Sequence, residues 1–174
     1  MTSESTQGDS TPRRPAMHAA IPALPEHDPA VVLTSRLDVV HANRRWSALH
    51  EPLIEDRNIA RMVFLDPLAS RFFVHRRHEQ SDVVAALNDA ASDAARRAEM
   101  QSLVEDLDAG NPDFRRLYAG PGLRPLRRDR YIVRHPQIGP LRFVRRTRQV
   151  GPYLLRVCTP TSETDRSLAL LDLL

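Results

Sequence analysis

The residues best suited to chemistry are few and scattered. His75 and His78 stand three apart, which would put two imidazoles on one helix face as a metal site needs. No third ligand has compatible spacing, and Arg76 and Arg77 between them add repulsive charge. Cys158 is the only cysteine, so an internal disulfide is ruled out. It lies in an apolar alternation that suits a core thiol better than a nucleophile. Ser, His and Asp are plentiful, but there is no Gly-x-Ser-x-Gly elbow, Gly-rich phosphate loop or paired catalytic carboxylates. Neither an enzyme nor a metal or cofactor site is expected.

Charge is the strongest remaining signal. All 25 basic side chains are Arg, each able to present a planar fork of donors to a carboxylate, phosphate or aromatic face. Residues 1–110 hold 12 Arg against 17 acids, a balance of −5, whereas residues 111–174 hold 13 against 5, a balance of +8; the net value is +3. The stripe from Arg115 to Arg148 would attract nucleic acid, an anionic ligand or an acidic partner, or form a solvated sheet face.

The elements that position these groups follow from periodicity. At 174 residues and 41% hydrophobic, the chain fits one domain with its own core. It has no apolar run near the ~20 residues of a membrane span and no secretory signal, and its expected place is the cytoplasm. Residues 1–29, polar and then punctuated by prolines, read as a disordered tail or linker. Val31–Leu33 and Leu37–Ala42 are two strand-like runs at hairpin spacing. Asn43 suits a helix cap ahead of Trp46, Leu49 and Leu53, and Asn58 to Phe73 reads as two short helices broken at Pro67. A longer helix from about Glu79 breaks near Arg96–Arg97 or continues past Met100. Gly110 is a candidate left-handed helix terminus, with Asn111 and Pro112 opening the next helix through Tyr118.

The last third changes to a period of two: Tyr131 and Val133, Leu141 and Phe143, then Tyr153, Leu155, Val157 and Thr159, with turns at His135–Gln137 and Gly151–Pro152. The short connections favour antiparallel pairing. A terminal helix carries Leu168, Leu171 and Leu174, with Ser162 and Asp165 available for capping. The expected fold is α+β, PAS-like: a five-stranded antiparallel sheet with a helical block between strands 2 and 3 and a C-terminal helix, over residues 30–174.

Several segments, in order, carry a family resemblance: Leu37 to Asn43, Arg57 to Pro67, Asn111 to Tyr118, His135 to Leu141, and the Ser/Thr-rich stretch before the last helix. Together they resemble the ligand-binding domain of MmyB-like transcription regulators. The resemblance implies a PAS-like sensor that binds a small, largely apolar molecule such as a fatty acid and is usually preceded by a helix-turn-helix domain. Residues 1–29 cannot supply that domain, so the expectation is a sensor acting through a DNA-binding partner or a half encoded upstream. A homodimer is compatible with this plan. The family tends to have Trp where Tyr118 stands, and an aromatic near Arg76, so the pocket is expected to differ in shape.

The expected ligand-contacting residues are Trp46, Phe64, Phe114, Tyr118, His135 and Phe143. Asn58 and His135 also have local explanations, as a helix cap and as a turn residue before Pro136. Two other functions stay open: a nucleic-acid-binding module using the Arg115 to Arg148 stripe, and a purely structural interaction domain. Specific DNA binding by this chain alone is not expected, because arginines spread over strands and turns neutralise phosphates without entering a groove.

Overall fold

The structure, a computed structural model, describes residues 23–53, 57–120 and 129–171. Strands β1 (Ala30–Leu33) and β2 (Val39–Ala42) come first, followed by helices α1 (Arg44–His50), α2 (Ile59–Phe64), α3 (Ala69–Phe72), α4 (Arg76–Ala90), α5 (Ala94–Gly110) and α6 (Pro112–Tyr118). Strands β3 (Arg130–His135), β4 (Gly139–Val150) and β5 (Tyr153–Pro160) and helix α7 (Ser162–Leu171) complete the chain. The five strands form one antiparallel sheet in the order β2-β1-β5-β4-β3. The expected α+β architecture is thus present, with its helical block between strands 2 and 3 and a closing helix.

Capping chemistry fixes most helix starts. Asn43 accepts from the Trp46 N–H at 2.9 Å, and Asn58 accepts from Arg61 N at 3.1 Å. Asn111 does the same for Asp113 and Phe114, with Pro112 in the first turn. Thr161 opens α7, its carbonyl accepting from Asp165 N at 2.9 Å.

Three local expectations are corrected. The α4–α5 break falls at Ala91–Asp93, ahead of Arg96, because the Asp93 carboxylate accepts from Ala95 and Arg96 N–H groups and starts a new helix there. Gly110 is not left-handed; it is the last residue of α5, and a Cβ there would lie 2.6 Å from Leu65 Cδ2, a terminal methyl that would have to swing aside. Leu37 belongs to the β1–β2 turn: it takes φ 66° and buries its side chain completely, while Thr34 Oγ1 receives the Arg36 and Asp38 N–H groups.

Register assigns the two sheet faces. Cross-strand partners share a face, so Phe143, Arg145, Thr147 and Gln149 of β4 lie with Pro160, Cys158, Arg156 and Leu154 of β5. Val31 and Leu33 of β1 join them, and this face carries the core together with Trp46, Leu49, Met62, Phe72, Val83 and Leu87. The apolar set Tyr153, Leu155 and Val157, which the alternation suggested as inward, is opposite Val150, Arg148 and Arg146 on the other face. A two-residue turn with Gly151 at φ 57° sets that phase, and a one-residue shift exchanges every side chain between faces.

Proline-rich sequence gives way to the domain before residue 30. Asn43 Nδ2 donates to the Pro25 and Asp28 carbonyls, both at 2.7 Å, and Cys158 N donates to Pro29 O at 2.9 Å. Among the described residues, no helix is long and apolar enough to cross a membrane.

Asn43 therefore serves four partners at once, the fourth being the Ala30 N–H. Asn43→Ala is expected to cost about 2–4 kcal/mol in urea-induced unfolding, combining a lost cap with stranded backbone groups. Asn43→Asp keeps the acceptor and loses the donors, so it should fall between the two.

Candidate functional site

The inner sheet face is apolar until Arg145. This side chain follows Leu141 and Phe143 in the same alternation, so the backbone sends it into the protein. Two acids on α4, Glu79 and Asp82, stand three residues apart on one helix face and meet it. Arg145 donates through Nη1 to Glu79 Oε2 and through Nη2 to Asp82 Oδ2, the latter at 2.6 Å. Its guanidinium also lies 5.0 Å from the centre of the Tyr131 ring. Burial alone would lower the Arg145 pKa, but Glu79 reverses that and holds it above its ordinary value. Asp82 is raised, with burial outweighing Arg145, and its Oδ1 is buried without a hydrogen-bond partner.

Next to this group, His50 is held neutral. It is buried and stacks on Trp46 with 4.2 Å between ring centres. Its Nδ1 lies 3.0 Å from Trp46 O and its Nε2 2.8 Å from Tyr131 Oη, which assigns the proton to Nδ1 and makes the phenol the donor to Nε2. Burial lowers the His50 pKa to about 4 and raises that of Tyr131. Cys158, also buried, is pushed up to about 11 by desolvation and remains a thiol.

Beyond Arg145 the helical layer and the sheet diverge. A cleft of about 960 Å³ opens over Thr147, Gln149, Leu154 and Arg156, with Asp82, Ala86, Asp89 and Ala90 of α4 as its wall and Arg96 of α5 and Asp129 at its margins. Its size suits a small molecule. A second, much smaller space of about 10 Å³ is enclosed by Trp46, His50, Tyr131, Cys158 and their neighbours, and has room for about one water. Arg145 and Arg156 border both spaces and form the partition between them.

The sequence-selected residues fall into three places. Trp46 and Phe143 lie in the core around His50 and Tyr131, and Trp46 lines the small space. Phe64, Phe114 and Tyr118 form a separate aromatic stack among α2 and α6, with ring centres 5.1 Å apart in each pair. His135 sits at the far end of β3, buried, its pKa lowered by desolvation. None of the six lines the larger cleft. Asn58 caps α2, and its Nδ2 donates to Arg36 O and Asp38 Oδ1. His75 and His78 lie with ring centres 5.3 Å apart, and no cluster of three metal-ligating side chains occurs among the described residues.

Glu79, Asp82, Arg145, Thr147 and Arg156 were not selected from sequence. The signal existed for two of them: Arg145 is in phase with Leu141 and Phe143, and Arg156 with Leu154 and Cys158. An Arg in the apolar phase of a strand requires an acid from the layer above.

The fold is α+β, with a helical block that stands off the end of the sheet and leaves a charged cleft lined by side chains of both layers. The chain belongs to the family of MmyB-like transcription regulator ligand binding domains, whose model matches residues 14–174. No curated protein matches the chain significantly.

Two consequences follow for stability. Arg145→Met strands two buried carboxylates and is expected to cost about 3–5 kcal/mol in chemical denaturation, whereas replacing Arg145, Glu79 and Asp82 together by apolar residues should recover much of that loss. His50 binds its proton less readily folded than unfolded, so the unfolded state takes up more protons between pH 6.5 and 4 and stability falls as pH falls through that window. The difference corresponds to about 3 kcal/mol. Stability–pH curves of the parent chain and His50→Gln should therefore converge on acidification; parallel curves would show that His50 does not titrate on unfolding.

Proposed function

We propose that this chain is the sensor module of a cytoplasmic transcription regulator, with a PAS-like domain that takes a small molecule in the cleft between α4 and the β4–β5 face. Binding there alters how the domain engages a DNA-binding partner, either a separate protein or a domain joined to it. The carrying observation is a ligand-sized cleft between α4 and the β4–β5 end of the sheet in a member of a ligand-binding family.

The lining supports a mixed ligand. Leu154, Ala86 and Ala90 offer apolar contact for a fatty-acid-like body, beside charged groups that fix orientation. A ligand reaching Trp46 or Phe143 would have to part Arg145 and Arg156, whereas contact with Phe64, Phe114, Tyr118 or His135 would need larger rearrangement. Binding has a route to the helical block because α4 supplies both the cleft wall and the two acids that hold β4.

Specific DNA binding by the isolated chain is not part of this proposal. Arg142, Arg146 and Arg148 share the outer sheet face, and Arg142 already faces Glu163 at 3.3 Å. A flat ladder of this kind yields weak, salt-dependent contact with phosphates.

The test is native mass spectrometry of the purified chain, followed by thermal melts with straight-chain carboxylates from hexanoate to tetradecanoate. A co-purified small molecule, or a saturable rise in melting temperature with one of the acids, is expected. Absence of both would overturn the sensor reading. Submicromolar, sequence-discriminating binding to duplexes at physiological salt would replace it with a nucleic-acid function.

A further inference from the structure

Arg156 differs from the other cation on the inner face. Arg145 has two carboxylates and an aromatic ring, but among the described residues no carboxylate lies within ion-pair distance of Arg156. Its one side-chain hydrogen bond among the described residues runs from Nε to Thr147 Oγ1, at a long 3.4 Å. The side chain is half-buried, and its terminal nitrogens are neither paired with a described residue nor sealed from solvent. It borders the 960 Å³ cleft.

The register explains why this cation is under pressure. Arg145 faces Cys158 and Thr147 faces Arg156, so the two guanidinium groups are diagonal neighbours on one sheet face. Of the acids around the cleft, Glu79 and Asp82 pair with Arg145, while Asp89 on the wall and Asp129 at the margin lie outside ion-pair distance of Arg156. Burial and then repulsion from Arg145 lower the Arg156 pKa. A half-desolvated guanidinium with free donors beside a second cation is an environment that gains from an incoming anion.

We propose that Arg156 is the anion anchor of the cleft: it seats the carboxylate or phosphate head of an amphipathic small molecule, whose apolar body lies along Leu154, Ala86 and Ala90. This rests on the cleft being the ligand site and adds the residue that selects the ligand's head group. The Thr147 hydroxyl is placed to complete the head-group contact. The anion also relieves the repulsion across the partition, so binding tightens the sheet against α4.

Calorimetric titrations of octanoate, octyl phosphate and octanol, all below micellar concentrations, test this. Octanoate or octyl phosphate should bind at least about tenfold tighter than octanol. Whichever acid binds better identifies the head group. Arg156→Gln should abolish that preference while leaving octanol binding in place; Arg156→Lys should keep part of it, and Arg134→Gln on the other sheet face should change nothing. The melting temperature of Arg156→Gln should equal or exceed that of the parent chain, because the substitution removes a repulsive charge. Octanol binding as tightly as both acids, or an acid preference surviving Arg156→Gln, would overturn the anchor and leave the cleft as a ligand site. Failure of all three compounds to bind the parent chain would overturn both.

Discussion

The burial of one positive charge organises much of this domain. Arg145 enters the core because it stands in the inward phase of β4, and a guanidinium there is tolerated only if it is paired. Glu79 and Asp82 meet that requirement from a single face of α4. The pairing joins the helical layer to the sheet, orients Tyr131 beneath the guanidinium, and through Tyr131 fixes the tautomer of His50. The helices therefore sit on the sheet in one register, which apolar contacts alone would define less sharply. It also leaves Arg156 without an acid at ion-pair distance, so one interaction both closes the core and leaves a second cation on the rim of the cleft.

The cleft and the core share one sheet face and differ in what covers it. Up to Arg145 the inward positions carry Leu141 and Phe143 under the helices; past it they carry Thr147 and Gln149, which no apolar layer needs to cover. The change from apolar to polar within one alternating strand marks where the helical block lifts away. A ligand seated there would be solvated at one end and would meet the charged partition at the other.

Much of the fold was legible in the sequence because its determinants are local. Asn43, Asn58 and Asn111 cap the helices that their positions suggested, Pro67 and Pro112 punctuate as expected, and the final third alternates as strands do. The phase of β5 was not legible, since Leu155 and Val157 look as core-like as Leu154 and Cys158. Only the turn at Gly151 and the pairing with β4 decide between them. The site was harder for a related reason: the partners of Arg145 lie 66 and 63 residues away on a helix, and no local pattern announces such a pairing. The aromatic residues that drew attention are mostly core, as large apolar side chains tend to be.

Strand β4 outruns its neighbour. β3 pairs with it only as far as Val144, and the Arg145 N–H still donates to Asp129 O; among the described residues the stretch from Arg146 to Val150 is hydrogen-bonded as a strand on the β5 side alone. An open strand edge is a template for another chain, yet this one bears Arg146, Thr147, Arg148 and Gln149, polar throughout and doubly charged. A second copy aligning antiparallel along that edge would bring arginine against arginine. Thr147 and Gln149, which keep the cleft polar, thus combine with the outward Arg146 and Arg148 to disfavour growth of the sheet from molecule to molecule.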